Sequence, residues 1–360
     1  MKNNWKRWLI FPALLPFFSW MEAKTLEENQ IQQSLDTIEY RVFVAVDKAG
    51  VEHWGGKEAY QAKLNAFFDQ VNDFWNKAGN GRFNYYFRYI PDLQVIYSSR
   101  QLEKIYQKSA GFPNHDVLLI IDSILDFDDE ESAKGWYCGG GADDLNMVIC
   151  RSRSKTEHED LFGIDYFHRG VAHEFGHYRG VTDLYADRIR AKNNPVNHIE
   201  YEPDSCVMNS HYKTYKWSSY AVHIINHTAK SKRPRRDFDG FFKQMFPENI
   251  QVSVKVKGKK QKGVKLNLYG SRAKFNDLIA TPYRTYETDK KGEYLITGVP
   301  NLYDSPAPPL HTDELPYNRW FTFLLEAEYK GEKKYVWLPE YEVQQTFFEN
   351  KDTYQVTIDF

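Results

Sequence analysis

The run "HEFGHYRGVTD", from His173 to Asp183, limits what this chain can fold into more than any other stretch. Histidines at i and i+4 share one helix face, about 6 Å apart along the axis, so His173 and His177 can grip a single ion. Glu174 lies about 100° round the helix from His173, too far for the same ligand position but well placed to take a proton from a water activated there. Gly180 can adopt the left-handed conformation that ends a helix and doubles the chain back, which returns Asp183 to the two imidazoles. A catalytic zinc site needs a third protein ligand and one open position. The spacing therefore nominates His173, His177 and Asp183 as metal ligands for one Zn2+ ion, with Glu174 as general base. The bland reading of Asp183 is a solvated acid after a helix, and Glu200 or Glu202 is then the next downstream carboxylate.

Such a helix needs a sheet behind it. Phe167, Val171, Phe175 and Tyr178 recur at helical spacing from about Tyr166, with Asp165 as a candidate N-cap, so an apolar stripe can be buried while the histidines border a cleft. Upstream, "EYRVFVAV" reads as a strand, and a long helix from Gly56 to about Lys77 is marked by Tyr60, Leu64, Phe67, Phe68, Val71 and Phe74. "FNYYFRYI", ending before Pro91, "DVLLIID" and "NMVICR" read as further strands, and another helix starts near Ser218. That order predicts one α+β domain over residues 24–247.

From Ile250 onward the period changes to two. Val252, Val254 and Val256, the loop "GKKQKG", then Val264, Leu266 and Leu268 predict a hairpin with a solvated basic loop. "GEYLITGV", "WFTFLLEAEY", "KKYVWLP" and "YQVTIDF" follow, separated by turn residues, so residues 248–360 are expected to form an all-β sandwich.

Residues 1–23 combine Lys2, Lys6 and Arg7 with the apolar "WLIFPALLPFFSW" and Ala23, the pattern of a signal peptide. The expectation is a protein that is secreted, periplasmic or at the cell surface, with no transmembrane segment in the mature chain, since no run reaches the roughly 20 apolar residues a spanning helix needs. The formal net charge of −2 argues against a nucleic-acid partner. Cys138 and Cys150 bracket a glycine-rich segment and are the simplest disulfide pair, with either pairing to Cys206 left open. "DFDDEES" together with Asp143 and Asp144 is a candidate Ca2+ site, although the EF-hand spacing is absent. Oligomeric state is not legible.

The motif HExxHxxGxxD resembles the metzincin clan of zinc endopeptidases, in the snapalysin-like variant with aspartate as third ligand. Downstream, "SCVMNS" is similar to the methionine-containing turn of that clan, which implies that Met208 lies beneath the metal. The resemblance implies a twisted mixed sheet with an active-site helix, and an edge strand that binds extended substrate antiparallel, for which "LNMVICR" is the candidate. It further implies a polypeptide or glycoprotein substrate, and it offers Tyr212 as a transition-state stabiliser although Ser210 stands where astacin-like members carry tyrosine. The stretch around "YRTYETDKKGEYLITGVP" is similar to carboxypeptidase-regulatory-like or transthyretin-like sandwiches of Ig-like form. A different class of function remains open: a surface-binding or adhesion protein whose sandwich does the work on an inactive zincin scaffold.

Overall fold

A computed structural model describes residues 35–97, 101, 115–122, 162, 166–210, 213–232, 234, 245–272, 277–305 and 319–360, and the backbone of 136–140 and 147–152. The chain enters through β1 (Thr37–Asp47), whose alternating apolar residues end at Asp47, an N-cap that accepts from Gly50 N. The short helix α1 (Lys48–His53) leads to the long α2 (Lys57–Gly79), which buries Tyr60, Leu64, Phe67, Phe68, Val71 and Trp75 and stops at Asn80 in the left-handed conformation. β2 (Tyr86–Ile96), β3 (Val117–Asp122), β4 (Trp136–Gly140) and β5 (Met147–Ser152) complete a sheet of order β2-β1-β3-β5-β4. All its neighbours are parallel except β4, which runs antiparallel to β5.

Three expectations change here. β2 does not end before Pro91 but runs through it, because β2 is an edge strand and a missing N–H is tolerated on its open side. "LNMVICR" is not the edge: β5 lies between β3 and β4, and the edge strand is β4, a short glycine-containing run that periodicity could not announce. Asp165 lies outside the described residues, and Tyr166 occupies the N-cap position of α3 (Phe167–Tyr178) without a side-chain cap bond. β4 and β5 pair with Cys138 directly opposite Cys150, while Cys206 is buried and free.

Helices α4 (Val207–Ser210) and α5 (Ser219–Thr228) follow, the latter capped by Ser218, which accepts from Ala221 N. The first core joins β1, α2, β2, α3 and α5, with Tyr89 stacked on Phe175 at 4.1 Å between ring centres.

Two more sheets follow. β6 (Asn249–Val256), β7 (Lys259–Lys260), β8 (Lys265–Arg272), β9 (Asp277–Leu278), β10 (Arg284–Glu287), β11 (Glu293–Thr297), helix α6 (Val299–Tyr303), β12 (Trp320–Tyr329), β13 (Glu332–Pro339), helix α7 (Glu340–Phe348) and β14 (Thr353–Asp359) form them. One has the order β10-β8-β12-β13 with β9 on β8, and the other β11-β6-β14 with β7 on β6. The predicted β6–β8 hairpin is therefore wrong. The two strands sit in different sheets and bury Val252, Val254, Leu266 and Leu268 in one core between them. Period-two patterning marks which face is buried but not which neighbour is paired. The basic loop is exposed as expected, with Lys260 paired to Glu293.

Met245 belongs to the first core and Phe246 to the second. Tyr341 of α7 crosses into the first core, its ring 5.9 Å from that of Tyr220. The whole is mixed α+β with several sheets. No helix among the described residues is long and apolar enough to cross a membrane.

Candidate metal centre

Helix α3 is anchored by Phe167, Val171 and Phe175 on its buried side, which leaves His173 and His177 one turn apart on another face. Gly180, at φ 94°, ends the helix: Val181 N donates to Gly176 O at 3.0 Å and Gly180 N to His177 O at 2.9 Å. Arg179, fully buried between, donates to Ser231 O at 2.9 Å and to Thr228 O, so it neutralises the carbonyl end of α5 and ties it to α3.

The reversal delivers Asp183. Its Oδ1 lies 3.2 Å from His173 Nε2 and 3.1 Å from His177 Nε2, and the three ligand atoms fall within 4.8 Å of one another. The far ring nitrogens are already committed: His173 Nδ1 donates to Val207 O at 3.0 Å and His177 Nδ1 to Val181 O at 2.9 Å. Carbonyl oxygens only accept, so in neutral imidazoles both Nε2 atoms present lone pairs to Asp183 Oδ1. That oxygen is buried without a hydrogen-bond partner. Converging acceptors with no donor between them call for a cation, so these residues fit a metal ion of the nitrogen and oxygen preferring kind.

Glu174, 5% exposed, has one carboxylate oxygen 4.0 Å from His173 Nε2 and the other, Oε2, buried without a partner. Burial pushes its carboxyl above the usual range, against the opposing pull of His173 and His177. For Asp183 burial also works upward, but the imidazoles of His177 and His173, in their protonated forms, outweigh it and hold the carboxyl far below the usual range.

Met208 is fully buried under the helix. A Cβ added at Gly176 would meet its Sδ at 2.6 Å, so the absent side chain of Gly176 is what lets the thioether approach. The turn is pinned on both sides, by Val207 N to Lys216 O at 2.9 Å and by Ser218 N to Cys206 Sγ at 3.2 Å. Tyr212 lies outside the described residues, as do Asp143, Asp144 and the "DFDDEES" segment. Glu202 is engaged by Arg188 at 2.7 Å and Glu200 accepts from Ala191 N at 3.3 Å, and neither joins the three-residue cluster.

One site residue escaped the sequence. Tyr185 donates its hydroxyl to Asp183 Oδ2 at 2.6 Å, and its ring lies parallel to that of His173 at 6.4 Å. The only available signal was its place two residues after the third ligand, which indicates proximity but not direction.

No family model matches the chain, and no curated protein matches it. Among solved structures it is similar to catalytically inactive OgpA from Akkermansia muciniphila in complex with an O-glycopeptide (glycodrosocin) substrate. The two are 10% identical, with 85% of this chain and 93% of that chain covered and a TM-score of 0.32. At that score the functional reading rests on the residues of this chain.

Proposed function

We propose that the chain is a zinc-dependent endopeptidase, with His173, His177 and Asp183 as ligands and Glu174 as general base. The observation that carries this is the meeting of two imidazole Nε2 atoms and Asp183 Oδ1 while both opposite ring nitrogens are held by backbone carbonyls. Three protein ligands with a position left open distinguish a catalytic zinc site from a closed structural one. Bound zinc would supply a Lewis acid that polarises the scissile carbonyl and acidifies water. Glu174, its carboxylate raised by burial, takes the proton of the attacking water and passes it to the leaving amine. The open edge of β4, beside α3, offers backbone donors and acceptors to a polypeptide lying in extended form.

The metzincin-like reading of residues 24–247, with 248–360 as a separate sandwich domain, belongs to this proposal. It is supported by the mixed sheet with an antiparallel edge strand and by Met208 beneath α3. The signal-peptide reading of residues 1–23 makes the enzyme an exported one. The test is digestion of denatured casein and gelatin by the full-length protein, stopped by a chelator and restored by zinc. Failure of the zinc-loaded protein to cut either substrate, or any peptide in a mixed library, would leave the inactive scaffold with a binding sandwich.

A further inference from the structure

The segment that brings Asp183 to the histidines is held from the other half of the chain. Asp187, 1% exposed and four residues beyond Asp183, accepts a hydrogen bond at Oδ1 from Thr322 Oγ1 of β12 at 2.5 Å. On the other side of Asp183, the hydroxyl of Thr182 lies 3.2 Å from Tyr220 OH of α5. Glu340 is fully buried and neutralised by Arg319, which reaches both carboxylate oxygens. Further along, Tyr201 bridges back to Ile189 and places its hydroxyl 2.6 Å from Tyr341 OH. Val196, between them, packs against Tyr269 and Leu324 of the sandwich.

An apolar seam would hold two halves together more cheaply, because buried charged groups carry a desolvation cost that their pairing only partly offsets. What polar groups add is direction: a hydrogen bond fixes position and orientation where a greasy contact tolerates sliding. Here the directional contacts fall on Asp187, four residues after the carboxylate that must meet two imidazoles to within a few tenths of an ångström, and on Tyr201 further along.

We infer that the C-terminal half is a positioning device for the third metal ligand: Thr322 and Tyr341 clamp the segment from Asp187 to Tyr201 so that Asp183, just before it, stays on His173 and His177. The inference rests on the metal reading above and extends it. Neither clamp residue belongs to the metal cluster, so their effect on metal binding passes through the segment they hold.

The experiment measures zinc affinity of the full-length chain by competition with a chromogenic chelator, for wild type, Thr322→Val, Thr322→Ser and Tyr341→Phe, beside thermal unfolding of each metal-free protein. Thr322→Val keeps the β-branched shape and removes only the hydroxyl that Asp187 accepts. Its zinc affinity is expected to fall about tenfold, the low end of what losing a group that orients a ligand costs. Thr322→Ser restores it, and Tyr341→Phe lowers affinity in the same direction through the far end of the segment. A wild type that binds zinc tightly, with Thr322→Val and Tyr341→Phe equal to it, overturns the clamp and leaves the metal site standing. A wild type with no zinc affinity overturns both.

Discussion

Tyr185 donates its hydroxyl to Asp183 Oδ2 at 2.6 Å, which leaves Oδ1 to face the Nε2 atoms of His173 and His177. The bond fixes which carboxylate oxygen is presented and stops the group rotating. Tyr185→Phe keeps the ring beside His173 and removes the hydroxyl that makes this bond. Zinc affinity is expected to fall about 10-fold to 100-fold, as for other partners that orient a ligand. Unchanged affinity in a chelator competition would show that the loop alone aims the carboxylate.

Asp183→Ala removes the third ligand, and the two imidazoles that remain cannot fix the ion's geometry. Zinc retained after dialysis against a weak chelator should drop far below wild type. Asp183→His should be milder, since it supplies a nitrogen ligand from the same position, although it loses the Tyr185 bond. Equal zinc content in wild type and Asp183→Ala would remove Asp183 from the site.

Glu174→Gln separates the base from the ligands. The amide fills the same buried space but accepts no proton, so zinc content and unfolding temperature should stay near wild type while turnover falls by about 10²-fold to 10⁴-fold. Most activity surviving in a peptide-cleavage assay would assign the base elsewhere.

Gly176 has room for no side chain, because a Cβ would sit 2.6 Å from Met208 Sδ and 3.3 Å from Trp217. Gly176→Ala gains up to about 1 kcal/mol of helix propensity but incurs an overpacking cost of about 1–3 kcal/mol. The expected net effect is a loss of stability, read as a lower urea midpoint. A Gly176→Ala cost that shrinks when measured in a Met208→Ala background would confirm the contact, and a stabilised single variant would refute it.

Asp187 and Glu340 give the fold a pH dependence. Burial, and after it the charge of Glu340, hold the Asp187 carboxyl well above the usual range, whereas an unfolded aspartate ionises near about pH 4. The folded chain therefore binds more protons over that window. The stabilising contribution is full below about pH 4 and is lost as pH rises through the pair's elevated range. Asp187→Asn still accepts from Thr322 but never ionises. Its unfolding temperature should exceed wild type at pH 8, with the gap closing toward pH 4. A gap that does not vary with pH would rule out the titration.

Local chemistry makes much of this molecule legible from its residues alone. His173, His177 and Glu174 follow from helical spacing, and Gly180 follows from the need for a residue that accepts a positive φ. The two cores follow from a change of hydrophobic period from 3.6 to 2. Pairing is another matter. Alternation along β6 and β8 is the same whether the strands face each other across a core or lie side by side in a sheet, so only tertiary packing puts them in separate sheets. The short β4 is the edge because β5 enters between it and β3, a choice made by long-range parallel pairing rather than by the composition of either strand. The surroundings of Asp183 are decided the same way. Tyr185 acts through a side-chain direction, and Thr322 and Tyr341 act across sequence separations of 135 and 140 residues (Asp187 to Thr322, Tyr201 to Tyr341) that no local pattern encodes.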